Sequence, residues 1–164
     1  SGFALQRFPR FNASLDESND EILYKNQVHV GVAVDTDRGL MVPVINDVDR
    51  KSLTELSMEL DELAEKARNK KIGADELQGG HLTISNLGGI GGTAFAPILY
   101  SPQVAILGVS RGKYQPVYRG EELEKRLILP LSLSYDHRVI DGAEGARFLR
   151  WICSVLEDPY AILQ

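Results

Sequence analysis

The feature that most constrains the fold is one long amphipathic helical pattern set among short strand-like segments. Ser52 and Glu55 form a capping-box pattern, which is typical of the first turn of a helix. The apolar residues that follow recur at steps of three and four, which predicts a helix over residues 52–69 with one apolar stripe: Leu53, Leu56, Leu60, Leu63 and Ala67. Because strands and helices do not alternate regularly elsewhere, the sequence predicts an α+β fold with a mixed or antiparallel sheet flanked by helices.

The strand-like segments are recognised by alternating or compact apolar residues. Residues 28–34 and 40–45, on either side of a turn-rich stretch, predict a hairpin in which Pro43 takes an edge or bulge position. Further strands, the last two of them paired as a hairpin, are predicted at residues 81–87, 104–109, 114–118 and 127–135. A short helix is predicted at residues 3–8, where Pro9 ends it. Residues 12–26 are predicted to be a polar, turn-rich segment, and residues 143–157 a closing helix.

The composition argues against several classes of protein. A formal net charge of −5 is unlike that of a nucleic-acid surface, so no nucleic-acid partner is expected. No run of about 18 apolar residues is present, so no membrane span is expected either. The one cysteine, Cys153, cannot form an internal disulfide, and its apolar neighbours predict a buried core thiol. His29 and His81 are far apart in sequence with no paired ligand motif, so we expect no zinc site.

The sharpest chemical signal is His137, which follows an apolar strand pattern and precedes a helix start. Continuing the alternation of the preceding leucines puts Tyr135 and His137 on one face. A strand end holds a side chain in place while leaving it reachable, so His137 is well placed for chemistry. On spacing alone, a core histidine bonded to a backbone carbonyl explains the pattern more simply. Asp141, four residues on, could orient the histidine or an arginine, or cap the following helix.

A second signal is the glycine-rich loop that follows Ser85. Its glycines, which let a backbone approach a ligand closely, are Gly88, Gly89, Gly91 and Gly92. Their spacing matches neither a Walker loop nor a dinucleotide-binding loop, so a phosphate cradle is only weakly indicated. Ser85 lies outside a G-x-S-x-G pattern, which argues against a hydrolase triad. A tight loop beside a substrate channel fits these residues as well.

Several ordered stretches resemble the catalytic, inner-core domain of the dihydrolipoamide acyltransferases of 2-oxo acid dehydrogenase complexes. The stretches are residues 8–14, 39–44, 83–109 and 131–142, and the resemblance covers essentially all 164 residues. The His-x-x-x-Asp-Gly pattern that begins at His137 would by itself also fit chloramphenicol acetyltransferase, which shares the fold. The resemblance therefore implies a chloramphenicol-acetyltransferase-like architecture.

The resemblance also implies a reaction and a role for three residues. In this family an acyl group moves between dihydrolipoamide and coenzyme A by direct attack of a thiol, with no metal. His137 matches the general base, Ser85 matches the hydroxyl that stabilises the tetrahedral oxyanion, and Asp141 matches an aspartate with a supporting, ion-pairing role. The glycines of residues 88–92 would border the substrate channel. The sequence around them is closer to the acetyl-transferring members than to the 2-oxoglutarate type, with branched-chain and acetoin-type members left open.

Partners and location are implied by the same resemblance. Family members form homotrimers with the site between subunits, and the trimers assemble into cubic or icosahedral cores. They meet the 2-oxo acid decarboxylase and dihydrolipoamide dehydrogenase through lipoyl and subunit-binding domains. Those domains have no counterpart in residues 1–164, and neither does the helix and strand that precede the position of Phe3 in the family. A bacterial cytoplasm, or alternatively a mitochondrial matrix, is expected.

Two other functions remain open at this point. One is a coenzyme A-dependent acetyltransferase that acts on a small acceptor, which would share the fold and the histidine. The other is a non-catalytic domain that only builds the core of a complex.

Overall fold

A computed structural model describes residues 2–160 and places a mixed five-stranded sheet at the centre of the chain. The helices are α1 (Gly2–Arg7), α2 (Leu53–Arg68) and α3 (Gly142–Glu157), with short 3₁₀ turns at Pro9–Asn12 and Asp75–Leu77. The strands are β1 (Ala13–Asp16), β2 (Glu21–Tyr24), β3 (Val30–Val32), β4 (Val34–Thr36), β5 (Gly39–Met41), β6 (Val44–Ile45), β7 (Leu82–Asn86), β8 (Ala105–Val109), β9 (Lys113–Arg119), β10 (Glu122–Ile128) and β11 (Leu131–Tyr135).

The central sheet has the strand order β11-β8-β7-β3-β6. Its three inner strands, β8, β7 and β3, run parallel, and the two edge strands run antiparallel to their neighbours. Three two-stranded hairpins, β1-β2, β4-β5 and β9-β10, complete the strands. The α+β prediction with a mixed sheet flanked by helices is confirmed. No helix within residues 2–160 is long and apolar enough to cross a membrane.

Aromatic side chains join α3 to the 3₁₀ turn that follows α1. Phe11 and Phe148 are fully buried and stack with their ring centroids 3.8 Å apart. Phe8 meets Phe148 edge to face at 5.6 Å. Each fully buried large apolar side chain contributes about 1.5–3 kcal/mol, so this aromatic cluster anchors α3 beside β11.

Helix α2 begins where the sequence predicts. The Ser52 hydroxyl accepts from the Glu55 amide at 3.3 Å, and the Glu55 carboxylate accepts from the Ser52 amide at 2.7 Å, completing a capping box. The predicted stripe is correct for Leu63 and Ala67, which are buried, but wrong for Leu53, which is 84% exposed. Leu53 lies in the first turn, before the helix reaches the sheet.

The predicted single strand over residues 127–135 is wrong. The chain forms β10 up to Ile128 and a separate strand, β11, from Leu131, with Pro130 between them. Proline has no amide hydrogen for a strand ladder, and the Pro130 carbonyl instead accepts from the Ser110 amide at 3.0 Å. The hairpin partner of β9 is therefore β10, while β11 joins the central sheet beside β8.

Smaller departures have local causes. The turn-rich segment 12–26 contains the β1-β2 hairpin, whose turn is closed by the Asp16 carboxylate accepting from the Ser18 amide at 2.9 Å. The predicted hairpin of residues 28–34 and 40–45 forms. Pro43 divides it into two strand pairs, β4-β5 and β3-β6, which agrees with the predicted bulge position of this proline. The prediction of a core thiol is wrong for Cys153, which is half-buried on α3 and is not part of the core cluster.

The capping box of α2 can be tested by Ser52→Ala. The substitution removes the acceptor for the Glu55 amide, so we expect the free energy of unfolding to fall by about 1 kcal/mol. Urea unfolding followed by circular dichroism measures the change. Ser57→Ala, an exposed site inside the same helix, is the matched control and should lose nothing. Equal losses in the two variants would show that the cap does not stabilise the helix.

Candidate functional site

His137 lies in a tight turn that continues β11 and leads into α3. The Asp136 amide donates to the Val104 carbonyl at 2.8 Å, which extends the strand ladder by one bond. The Val139 and Ile140 amides both donate to the Asp136 carbonyl at 3.0 Å, which closes the turn around His137. The His137 residue is exposed, while Val139 and Ile140 are buried beneath it. The alternative of a core histidine is therefore wrong.

Tyr135 sits beside the histidine and against α3. The ring centroids of Tyr135 and His137 are 5.9 Å apart. A Cβ atom at Gly145 would lie 2.8 Å from the Tyr135 ring, so only glycine lets α3 approach this closely. Gly145 was not among the predicted site residues. A glycine inside a helix costs about 1 kcal/mol relative to alanine, and that cost was the available signal.

Arg138 forms the strongest polar contacts of the turn. Its Nη2 donates to the Asp136 carboxylate at 2.7 Å and its Nε at 3.0 Å. Its Nη1 donates to Glu17, in the β1-β2 turn, at 2.7 Å. The Arg138 guanidinium lowers the pKa of Asp136 below its ordinary value. The contact with Glu17 has no signal in the sequence, because Glu17 lies 121 positions from Arg138.

An open cleft adjoins the His137 turn, with a volume of about 580 Å³. One wall is the β1-β2 hairpin, a second is the segment 99–104, and the third carries Asp136 and Arg138. Ligand pockets commonly enclose about 300–1,000 Å³, so the cleft has room for an extended small-molecule arm.

Asp141 caps α3. Its carboxylate accepts from the Glu144 amide at 2.8 Å, and that hydrogen bond lowers the pKa of Asp141. The capping alternative is confirmed. Within residues 2–160 no arginine or lysine lies within 4.0 Å of the Asp141 carboxylate, so the ion-pairing role stays a prediction.

Ser85 stands at the other end of the sheet. The register places Ser85 opposite Gly108 of β8, and Gly108 opposite Ser132 of β11. His137 is about five residues beyond Ser132, roughly 16 Å at about 3.3 Å per residue, and two strands to the side. A single copy of the chain therefore does not bring the Ser85 hydroxyl and the His137 imidazole together.

The glycine-rich loop forms a tight turn directly after β7, next to Ser85. The Gly91 and Gly92 amides donate to carbonyls inside the loop, at 3.3 Å and 3.0 Å, so they are not free to bind a phosphate. Gly91 has a φ of 100°, and a Cβ at Gly92 would lie 3.0 Å from Leu87. The tight-loop alternative is thus the better description of residues 88–92.

His29 and His81, although distant in sequence, are neighbours in the structure with ring centroids 4.8 Å apart. His81 Nδ1 lies 2.9 Å from the Asn12 side-chain oxygen, and His29 Nδ1 accepts from the Asp47 amide at 2.9 Å. No group of three or more potential metal-ligating side chains occurs among the described residues. Burial, assisted by His29, lowers the pKa of His81 to about 4.

The family can now be assigned. Residues 1–164 match the model of the 2-oxoacid dehydrogenases acyltransferase catalytic domain over their whole length. The chain belongs to this acyltransferase family. The chain is 55% identical over 155 residues to the dihydrolipoyllysine-residue acetyltransferase component of the pyruvate dehydrogenase complex of Haemophilus influenzae. It is 56% identical over 161 residues to that of Azotobacter vinelandii. These matches include 94% and 98% of this chain but only 27% and 25% of the relatives.

Solved structures of family members agree with the fold. The dihydrolipoamide acetyltransferase of Azotobacter vinelandii superimposes with a TM-score of 0.97 at 55% identity. A serine, a histidine and an asparagine have been investigated in the catalytic mechanism of that enzyme. The match covers 99% of this chain and 67% of that one. A cubic core of a pyruvate dehydrogenase multienzyme complex gives 0.96 at 56% identity, covering 99% and 67%. A chloramphenicol acetyltransferase at 15% identity gives 0.53 over 90% and 72%, which confirms the predicted fold class.

The His29 and His81 pair predicts a pH-dependent stability. The pKa of His81 is about 4 in the folded chain and about 6.5 when unfolded, so the unfolded state binds more protons between those values. Stability should be full above pH 6.5 and fall as the pH drops towards 4, by about 1 kcal/mol at pH 5 after allowing for partial solvent exposure.

Urea midpoints of the parent and His81→Gln at pH 7 and pH 5 measure this effect. The variant should lose less stability than the parent between the two pH values. His137→Gln, at an exposed histidine, is the matched control and should keep the parent's pH dependence. The same loss in all three proteins would contradict a neutral, half-buried His81 in the folded chain.

Proposed function

We propose that this chain transfers an acetyl group between dihydrolipoamide and coenzyme A. The observation that carries the proposal is an exposed His137 on a hydrogen-bonded turn beside a cleft, in a chain of the acyltransferase family. The acetyl group is the choice supported by relatives named as dihydrolipoyllysine-residue acetyltransferases.

In this mechanism His137 acts as the general base. A free thiol with a pKa of about 8.5 is only a few per cent ionised near pH 7, and its thiolate is the nucleophile. The imidazole takes the thiol proton as the sulfur attacks the thioester carbonyl carbon. When the tetrahedral intermediate collapses, the bond to the other sulfur breaks and that sulfur takes the proton back. General-base help of this kind is typically worth about 10²–10⁴ in rate.

Ser85 supplies a hydroxyl to the negatively charged oxygen of the tetrahedral intermediate. Removing one such donor typically costs about 10²–10³ in rate. The serine, histidine and asparagine investigated in the Azotobacter vinelandii enzyme have the same spacing as Ser85, His137 and Asp141 in this chain. This agreement supports the two catalytic assignments. Aspartate and asparagine are both good helix caps, so Asp141 can fill the third position by fixing the start of α3.

The active site is proposed to lie between two copies of the chain. His137 and Ser85 occupy opposite ends of one sheet, which leaves each without the other inside a single copy. A neighbouring copy would bring its Ser85 and its residues 88–92 to the cleft beside His137. Head-to-tail contacts of this kind can close into a ring, and the homotrimer is the ring that the family resemblance implies.

The β9-β10 hairpin supports assembly into a larger core. Four large apolar side chains alternate onto one of its faces and are 61–74% exposed: Tyr114, Tyr118, Leu123 and Leu127. A lone two-stranded hairpin is marginally stable in water, and an exposed apolar face of this kind marks an interaction surface. We infer that another copy covers it, as in the cubic core of the relative.

The remaining partners follow from the same proposal. The 2-oxo acid decarboxylase and dihydrolipoamide dehydrogenase components would meet this chain within the assembled complex. The bacterial relatives favour a bacterial cytoplasm over a mitochondrial matrix as its location.

A site shared between copies predicts complementation between two inactive variants. His137→Ala should lower the rate of acetyl transfer from acetyl-coenzyme A to dihydrolipoamide by a factor of about 10²–10⁴. Ser85→Ala should lower the same rate by a factor of about 10²–10³. When the two variants are co-expressed in equal amounts, some interfaces pair an intact histidine with an intact serine. Random assembly should restore about a quarter of the parent rate.

The control for complementation mixes the separately purified assemblies without subunit exchange, which should restore nothing. A co-expressed mixture as inactive as its parents would show that both residues act within one copy or not at all. Transfer to a small alcohol but not to dihydrolipoamide would instead support a free-standing acetyltransferase.

The hairpin surface is tested by Leu123→Asp. A buried unpaired charge would oppose contact between copies, so we expect a smaller assembly by light scattering. Gln115→Asp places the same charge on the opposite face of the hairpin and should leave the size unchanged. Assemblies of parent size in both variants would remove this face from the contacts between copies.

A further inference from the structure

His137 lies between two oppositely charged residues that bind each other. Arg138 grips both oxygens of the Asp136 carboxylate, with Nη2 at 2.7 Å from one and Nε at 3.0 Å from the other. The Asp136 carboxylate also accepts from the Arg138 amide at 2.9 Å. This two-pronged geometry is specific to arginine and holds the backbone on both sides of the histidine.

The same guanidinium ties the turn to a second element. Arg138 Nη1 donates to the Glu17 carboxylate at 2.7 Å. Glu17 is itself placed by the β1-β2 turn, where Asp16 accepts from the Ser18 and Asn19 amides at 2.9 Å and 3.3 Å. The Asp136 side chain is only 18% exposed, so its contact with Arg138 is shielded from water more than an ordinary surface pair.

We propose that Asp136, Arg138 and Glu17, here called the Arg138 clamp, are positioning residues. They fix the His137 turn, and the Arg138 guanidinium offsets the carboxylate charge next to His137. The proposal rests on the proposed function for the catalytic role of His137. Although the three clamp residues also line the cleft, the role proposed for them acts on His137 through the backbone and the local field.

The charged groups around the turn are few. The turn and the start of α3 carry Asp141, Glu144 and Arg147. Glu144 is paired with Arg10 at 3.2 Å, and the charges of Arg147 and Arg10 help to lower the pKa of Asp141. The β1-β2 hairpin contributes Asp16 besides the clamp, and the segment 99–104 has no acidic or basic side chain. Tyr135 is the titratable neighbour from β11. Arg138 is therefore the cation that balances the carboxylates nearest to His137.

Removing either partner of the clamp should change the protonation of His137 in opposite directions. Arg138→Met leaves the Asp136 carboxylate unbalanced, which favours the imidazolium and moves the protonation midpoint to higher pH. Asp136→Asn removes one of the two carboxylates that bind Arg138, which favours the neutral imidazole and moves the midpoint to lower pH. Removing one charge from a residue next to His137 near the surface should shift the midpoint by about 0.5 pH unit in each case.

The experiment measures the midpoint in the full assembly without using activity. Diethyl pyrocarbonate reacts with neutral imidazole, and mass spectrometry of the peptides reads the rate at His137 separately as the pH is varied. The protonation midpoint of His137 should shift in opposite directions in the two single variants. In the double variant Asp136→Asn/Arg138→Met the midpoint should lie between those of the single variants. Acetyl transfer measured on the same samples should show kcat about tenfold lower for Arg138→Met, with KM within about threefold, because the base is misplaced.

Two further variants separate position from charge. Arg138→Lys keeps the charge but loses the two-pronged contact, so kcat should fall while the midpoint stays. Glu17→Gln leaves the turn intact and should lower the midpoint by a smaller amount. Arg150→Met breaks a comparable exposed pair, Arg150 with Glu157 at 3.0 Å, and should change neither quantity.

The outcomes distinguish the clamp from the proposed function. The clamp would be overturned if the parent protein is active but the His137 midpoint is unchanged in Arg138→Met and Asp136→Asn. It would also be overturned if the midpoint moves in the same direction in both variants. Opposite shifts in the two variants, together with a parent protein that transfers no acetyl group, would support the clamp and overturn the proposed function.

Discussion

The pairing of β11 with β8, and of β8 with β7, decides where the candidate catalytic residues stand. Because β11 runs antiparallel to two parallel neighbours, its C-terminal end meets their N-terminal ends. His137 follows the end of β11, and Ser85 lies near the end of β7, so the sheet itself holds them apart. The proposed site between copies is then a consequence of strand direction.

Local interactions make the His137 turn stiff enough for chemistry. Asp136 extends the sheet ladder and closes the turn, Asp141 caps α3, and Gly145 lets Tyr135 pack between helix and strand. Behind them the stacked Phe11 and Phe148 anchor α3 in the core. The imidazole is thus held by a strand end, a helix start and a buried layer, while its own residue stays exposed.

Much of this arrangement could be read from short-range patterns. The capping box of α2, the strands β7 and β8 and the position of His137 all follow from residues close together in sequence. Contacts between distant residues could not be read in this way. The break at Pro130, the packing of Tyr135 on Gly145 and the bond from Arg138 to Glu17 depend on which segments meet in space. The separation of Ser85 from His137 became visible only with the strand register.

The most direct test of the shared site is a cryo-electron microscopy structure of the assembled protein with coenzyme A bound. One reacting centre must lie about 3 Å from both catalytic groups, so the account predicts a His137 imidazole within about 8 Å of the Ser85 hydroxyl of another copy, with the coenzyme thiol between them. An assembly in which every His137 faces only its own copy, or is closed off from the coenzyme, would contradict it.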